Sequence, residues 1–189
     1  MILPIVAYGD PVLRKRGSDI PENTPEIQAL IDNMFETMYN ASGVGLAAPQ
    51  IGRSLRLFVI DASGFVDEDE EDEEGLKGFK QVFINPQITQ EEGEEWAFNE
   101  GCLSIPDVRE DVSRQEDIQI TYLDRDFKEH TETFTGLKAR VIQHEYDHIE
   151  GVLFTDHLSP LRKRILKGRL GNISKGKIKV GYKMKFPVK

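Results

Sequence analysis

The sequence predicts an α+β fold in a single domain of 189 residues, on three observations. Apolar residues recur at helical spacing from Ile27 to Met38. Stretches near 55–61, 80–85, 94–98 and 117–123 alternate β-branched and aromatic residues with polar ones. A second helical pattern begins at Thr135 and carries two of the four histidines.

Taken in order, Asp10-Pro11-Val12-Leu13-Arg14 starts a short helical turn. Thr24-Pro25-Glu26 is a helix start, with threonine as cap and proline in the first turn. Ile27, Leu30, Ile31, Met34, Phe35 and Met38 then form one apolar face, which reads as core packing. That helix runs to about Ser42, and a strand follows near Leu55 to Asp61. Eight consecutive acids, Asp67 to Glu74, fall in an expected surface loop over 64–78 that interrupts a hairpin. Such a block of like charge is usually solvated and mobile, although a metal-binding reading competes. In the second helix, Leu137, Val141 and the imidazoles share a period, and Gly151 supplies the stop. Ser159 to Gly168 looks like a short helix, and Lys177 to Phe186 alternates like a strand or strand-like arm.

Charged residues make up 30% and hydrophobic residues 39%, as in a soluble protein able to bury a real core. No apolar run is long enough for a membrane span, and no signal-peptide pattern is evident. One cysteine excludes an internal disulfide. Charge is unevenly spread. The segment 158–189 holds eleven of the 24 Lys and Arg and none of the 33 Asp and Glu, leaving 13 basic against 33 acidic residues before it.

The densest chemistry lies in Gln143-His144-Glu145-Tyr146-Asp147-His148. Residues four apart share one helix face, so His144 and His148 can bind the same divalent metal. Glu145 then sits beside it, as in the H-E-x-x-H arrangement where glutamate is a base and not a ligand. The competing reading is a helix with two half-buried polar histidines. A catalytic site of this type needs a third protein ligand. The downstream slot for a third histidine holds Phe154, and no acid follows Glu150 and Asp156. His157 stays open but lies off the required spacing. Cys102, between Gly101 and Leu103-Ser104-Ile105-Pro106, is the upstream candidate. A lone cysteine is more often simple packing. The glycine before it and the proline after it point instead to a fixed stretch at a strand end.

A third segment, Gly43 to Gly52, is rich in small residues that let backbone approach a ligand closely. Gln50 offers an amide N–H donor for charge developing on oxygen. An ordinary helix-to-strand turn is the alternative. A phosphate loop is disfavoured, because neither a Walker lysine nor a preceding strand is present.

Together GVGLAAPQ (43–50), EGCLS (100–104) and QHEYDH (143–148), in this order, resemble the signature motifs of the peptide deformylase family, and the likeness runs through most of residues 1 to 160. The resemblance implies antiparallel or mixed sheets packed around a central metal-binding helix. It implies removal of the formyl group from the N-terminal formylmethionine of nascent polypeptides, with release of formate. The implied ligands of one divalent metal per chain are Cys102, His144 and His148, with water as the fourth. Iron(II) is the implied native metal, with zinc, nickel or cobalt also accepted. Glu145 is the implied general base and then acid, while Gln50 and the Leu103 backbone N–H hold the oxyanion. For substrate, the methionine pocket falls to Val44, Leu137 and Val141, with the stem of Arg140 lining it while its charge reaches solvent. Gly43, Gly45, Glu100 and Gly101 are expected along the peptide, the backbone of Gly45 and Glu100 pairing with it like a strand. An ion pair between Glu100 and Arg109 would brace the cysteine loop, unless both are plain surface charges. A thiolate ligand and the absence of a span favour the cytoplasm. The basic segment 158–189 either docks on the ribosome by phosphate attraction or packs on the acidic body.

Overall fold

A computed structural model of the chain describes residues 1–67, 71–72 and 74–187. Its first strand, β1, is the short Ile5–Val6. Helix α1, Pro25–Asn40, starts where the sequence places it: Thr24 Oγ1 accepts from the Ile27 N–H at 3.3 Å, and Pro25 occupies the first turn. Strand β2, Gly45–Ala47, follows within the glycine-rich run. Then come β3, Leu57–Asp61, β4, Lys80–Cys102, β5, Ile105–Leu123, and β6, Glu129–Thr135. The second helix, α2, spans Gly136–Ile149, the third, α3, spans Pro160–Ser174, and β7 is Met184–Lys185.

Strands β2 to β6 form one antiparallel sheet in chain order, while β1 and β7 pair in parallel as a separate ribbon. The apolar run of β3 is explained by burial on both faces. Leu57 and Val59 pack with Ile31, Met34, Phe35 and Met38 of α1. Phe58 and Ile60 pack with Ala139, Val141 and Ile142 of α2. Apart from Ala139, each such side chain contributes about 1.5–3 kcal/mol by leaving water, so α2 is held firmly against the sheet.

Several elements differ from the sequence expectation. The stretches 80–85 and 94–98 belong to one 23-residue strand. Its middle, Thr89 to Glu95, is exposed and polar, so no apolar alternation marks it, yet it stays paired with β5 across the register shifts between Ile88 and Gln90 and between Glu92 and Glu95. Strand β6 carries few apolar residues and was not expected; it pairs with β5 from Asp117 to Leu123. Helix α3 runs past Gly168 because Leu166, Leu170 and Ile173 are buried with Leu153 and Phe154, and that packing outweighs glycine's weak helix propensity. Only Met184 and Lys185 of the expected arm form a strand.

The acidic run does connect the antiparallel pair β3 and β4. Residues 68–70 and 73 of it lie outside the described residues. Two of its other members are structural and not merely solvated. Asp72 accepts from the Leu76 and Lys77 N–H groups, and Glu74 Oε2 accepts from Leu137 N–H at 2.8 Å. Thr135 makes no capping bond to α2, so Glu74 satisfies that helix start, where an anion also suits the helix dipole. Among the described residues, no helix is long and apolar enough to cross a membrane.

Candidate metal centre

Helix α2 presents His144 and His148 on one side, and β4 ends at Cys102. The ligating atoms of these three residues all lie within 4.8 Å of one another, with Cys102 Sγ 3.3 Å from His148 Nε2. Tetrahedral ligation at zinc-like bond lengths requires donors about 3.5 Å apart. The trio therefore fits a divalent cation, and its chemistry, one thiolate with two imidazoles, suits zinc, iron, cobalt or nickel. His157, the open alternative, is instead bonded through Nε2 to Asp147 Oδ2 at 2.8 Å.

The trio borders a cleft of about 440 Å³. Cys102, His144, Glu145 and Gln50 reach it, as do Gly43, Val44, Gly45, Glu100, Gly101, Leu103, Arg140 and Val141. His148 is buried beside it. Leu137 does not line it; that side chain packs into the cluster around Phe58 and Ile118. Phe65 and Phe98, edge to face at 6.3 Å, supply apolar wall that sequence reasoning did not find. Phe65 lies outside every motif and Phe98 just before EGCLS, and only folding brings the two rings together.

Gln50 and His144 are each held in place by a second group, whereas the Glu145 carboxylate is not. Gln50 Oε1 accepts from Ala47 N–H at 2.9 Å, which turns its Nε2 toward Cys102 Sγ at 3.4 Å and Ser104 Oγ at 3.3 Å. His144 Nδ1 bonds Glu100 Oε2 at 2.9 Å, leaving Nε2 for the cation side. Glu145 is buried with Oε2 partnerless, and a Cβ on Gly45 would collide with its Oε1. Glycine at 45 is therefore what makes room for this carboxylate.

Two expectations are overturned. Arg109 does not pair with Glu100; it donates to Asn99 Oδ1 at 2.9 Å and to the Asn99 carbonyl at 2.5 Å. The partners of Glu100 are Arg114, through Nε at 2.7 Å and Nη2 at 3.0 Å, and Arg140 Nη1 at 3.1 Å. Nor does the Arg140 charge reach solvent. The residue is 2% exposed, donates to the Val112 and Trp96 carbonyls, and lies 4.4 Å from the Trp96 ring centroid. No local pattern marks a buried carboxylate partner, so an arginine beside the pocket reads as a charge reaching solvent. Arg114 and Asp147, bonded at 2.8 Å, were missed for the same reason.

The electrostatics follow from these contacts. Burial pushes the Glu100 carboxyl up, but bonds from His144 and Arg114 outweigh it and hold the group well below the usual carboxylate range. Burial also raises the Cys102 thiol, yet the two imidazoles bring it down to about 5, which favours the thiolate form at neutral pH. For Glu145 burial wins over the imidazoles, and its pKa rises to about 7. A carboxyl with such a value can both accept and return a proton near neutrality.

The family model described as polypeptide deformylase matches residues 2–164. The chain belongs to the polypeptide deformylase family. It is 63% identical over 190 residues to the peptide deformylase of Christiangramia forsetii, covering 99% of this chain and 97% of that one. To the peptide deformylase of Flavobacterium johnsoniae it is 60% identical, covering 98% and 96%. The crystal structure of a peptide deformylase from Legionella pneumophila superposes with a TM-score of 0.80 at 41% identity, covering 94% of this chain and 98% of that one. As a deformylase, the protein is a metal-dependent hydrolase that removes the formyl group from the N-terminus of nascent polypeptides.

Proposed function

We propose that Cys102, His144 and His148 hold the catalytic cation, and that Glu145 is the proton-transferring residue of the deformylation site. The observation that carries this reading is the buried, partly unpartnered Glu145 carboxylate beside the thiolate and two imidazoles at the edge of one cleft. A divalent cation held there supplies Lewis acidity toward water and the formyl oxygen. Glu145 accepts a proton from the attacking water and returns it to the leaving amine. The Gln50 amide and the Leu103 N–H stabilise negative charge on the formyl oxygen. Val44, Val141, Phe65 and Phe98 bound the methionine side chain. β2 is the edge strand of its sheet, so Gly43 to Gly45 can receive the peptide as an added strand opposite Glu100 and Gly101.

Iron(II) is the native cation in this reading, and zinc, nickel or cobalt can replace it in the same donor set. The protein works in the cytoplasm on chains leaving the ribosome, and α3 supplies the contact. Leu161 and Ile165 on that helix are 67% and 59% exposed, beside a series of Lys and Arg. Reversing charge at Arg164 and Lys167 weakens salt-sensitive ribosome binding; equal binding across a salt series rejects the contact.

The test of the site is formate release from formyl-Met-Ala by anaerobically purified protein, beside a metal analysis. Glu145→Gln retains the metal and loses about 10²–10⁴-fold in kcat. A variant near wild-type rate, or cleavage of blocked internal peptides by the wild type, overturns the assignment.

A further inference from the structure

Cys102 pairs with Ile105 across the end of the β4–β5 hairpin, so Leu103 and Ser104 form a two-residue turn. The peptide joining two such residues can flip between turn types at little cost in chain geometry. A flip here would swing Ser104, whose Oγ accepts from Gln50, and would turn the backbone next to the Leu103 N–H. Both carbonyls of the turn are held from outside the hairpin. Tyr8 N–H donates to Ser104 O at 2.8 Å, and the Tyr182 hydroxyl donates to Leu103 O at 2.7 Å. Tyr8 and Tyr182 come from the two ends of the chain, which are tied together. Ile5 N–H donates to Lys183 O at 2.9 Å, Ala7 N–H donates to Lys185 O at 2.8 Å, and β1 pairs with β7. Tyr182 also lines the cleft.

From this geometry we infer that Tyr182 is a positioning residue of the deformylation site. Its hydroxyl locks the Leu103–Ser104 peptide and thereby keeps the Gln50 amide and the Leu103 N–H aimed at the formyl oxygen. The inference rests on the reading of those two groups as oxyanion donors. It gives the terminal ribbon a purpose: to carry a single hydroxyl to the hairpin tip that bears a metal ligand. The bond is absent from every sequence motif, because its donor lies 79 residues beyond its acceptor.

Tyr182→Phe keeps the ring and removes only the hydroxyl, so the full-length chain should still fold. With formyl-Met-Ala as substrate, kcat falls about 5- to 10-fold while KM stays within about twofold, because the lost interaction serves the transition state. In the metal-free protein, backbone amide exchange at Leu103 and Ser104 becomes about 5- to 10-fold faster, while that of β3 is unchanged. An unchanged kcat overturns the inference, as does a rise in KM alone, which would make Tyr182 only a wall of the cleft. Unchanged exchange at the turn overturns it too. Absence of formate release by the wild type would instead defeat the reading of the site, and the exchange measurement would still decide whether Tyr182 holds the turn.

Discussion

At position 45 the absence of a side chain does chemical work. A methyl group there would meet the Glu145 carboxylate, so Gly45→Ala pushes that group out of place. We expect at least about a tenfold loss of kcat with metal content unchanged, measured by formate release and metal analysis. Cys102 offers a second test. If Cys102 is a ligand as proposed, its thiolate would donate more charge than a carboxylate and make the cation a weaker Lewis acid, adequate for an unhindered formyl group. Cys102→Asp should keep the metal and lose most deformylation; activity near wild type would discard that explanation. At Glu100 the sequence showed a residue two before the cysteine, but its work was hidden. Three side chains, the buried Arg114 and Arg140 and the partly buried His144, converge on it from β5 and α2. Burying so much charge is tolerable only because every carboxylate oxygen is matched by donors.

At the scale of elements, α2 is the piece on which the site depends. Its start is satisfied by Glu74, and its later turns are tied to β5 by Asp147, which accepts from Arg114 and bonds His157. Burial raises the Asp147 carboxyl, and the bonds from His157 together with the Arg114 charge outweigh this, so its folded value is depressed. The stabilisation is therefore present above the unfolded value near pH 4 and is lost as pH falls through the lower folded value. Asp147→Asn should lower the urea midpoint at pH 7, and the gap from wild type should narrow below about pH 4. A gap independent of pH would mean that the carboxylate charge is not what stabilises α2 there. The elements also show where pattern reading stops. Helix α1 was legible from its cap and stripe. The middle of β4 was not, because a ladder built from backbone bonds leaves no hydrophobic trace when both faces meet water.

For the whole molecule, the proposed ligands come from β4 and α2, so a cation held between them would link the sheet to the helix. Anything that binds only the folded state stabilises it by mass action. Removing the metal with a chelator should lower Tm by several degrees as well as abolish formate release, and adding back Fe(II), Ni(II) or Co(II) should restore both. Loss of activity at unchanged Tm would show that the cation contributes nothing to holding the two elements together.

The sequence by itself determined the α+β class, the helix bearing His144 and His148, and the set of residues able to bind a cation. These are local matters: helical spacing, capping, and the chemistry of thiol, imidazole and carboxylate are written in neighbouring residues. Only the tertiary structure decided that Glu100 serves His144 and not Arg109, that Arg140 is buried, that Glu74 caps α2, and that Tyr182 reaches the Leu103 carbonyl. Each of these is a partnership between residues distant in the chain. Hydrogen bonding and burial act through space, and a buried charge chooses its partner only after the backbone has been folded around it.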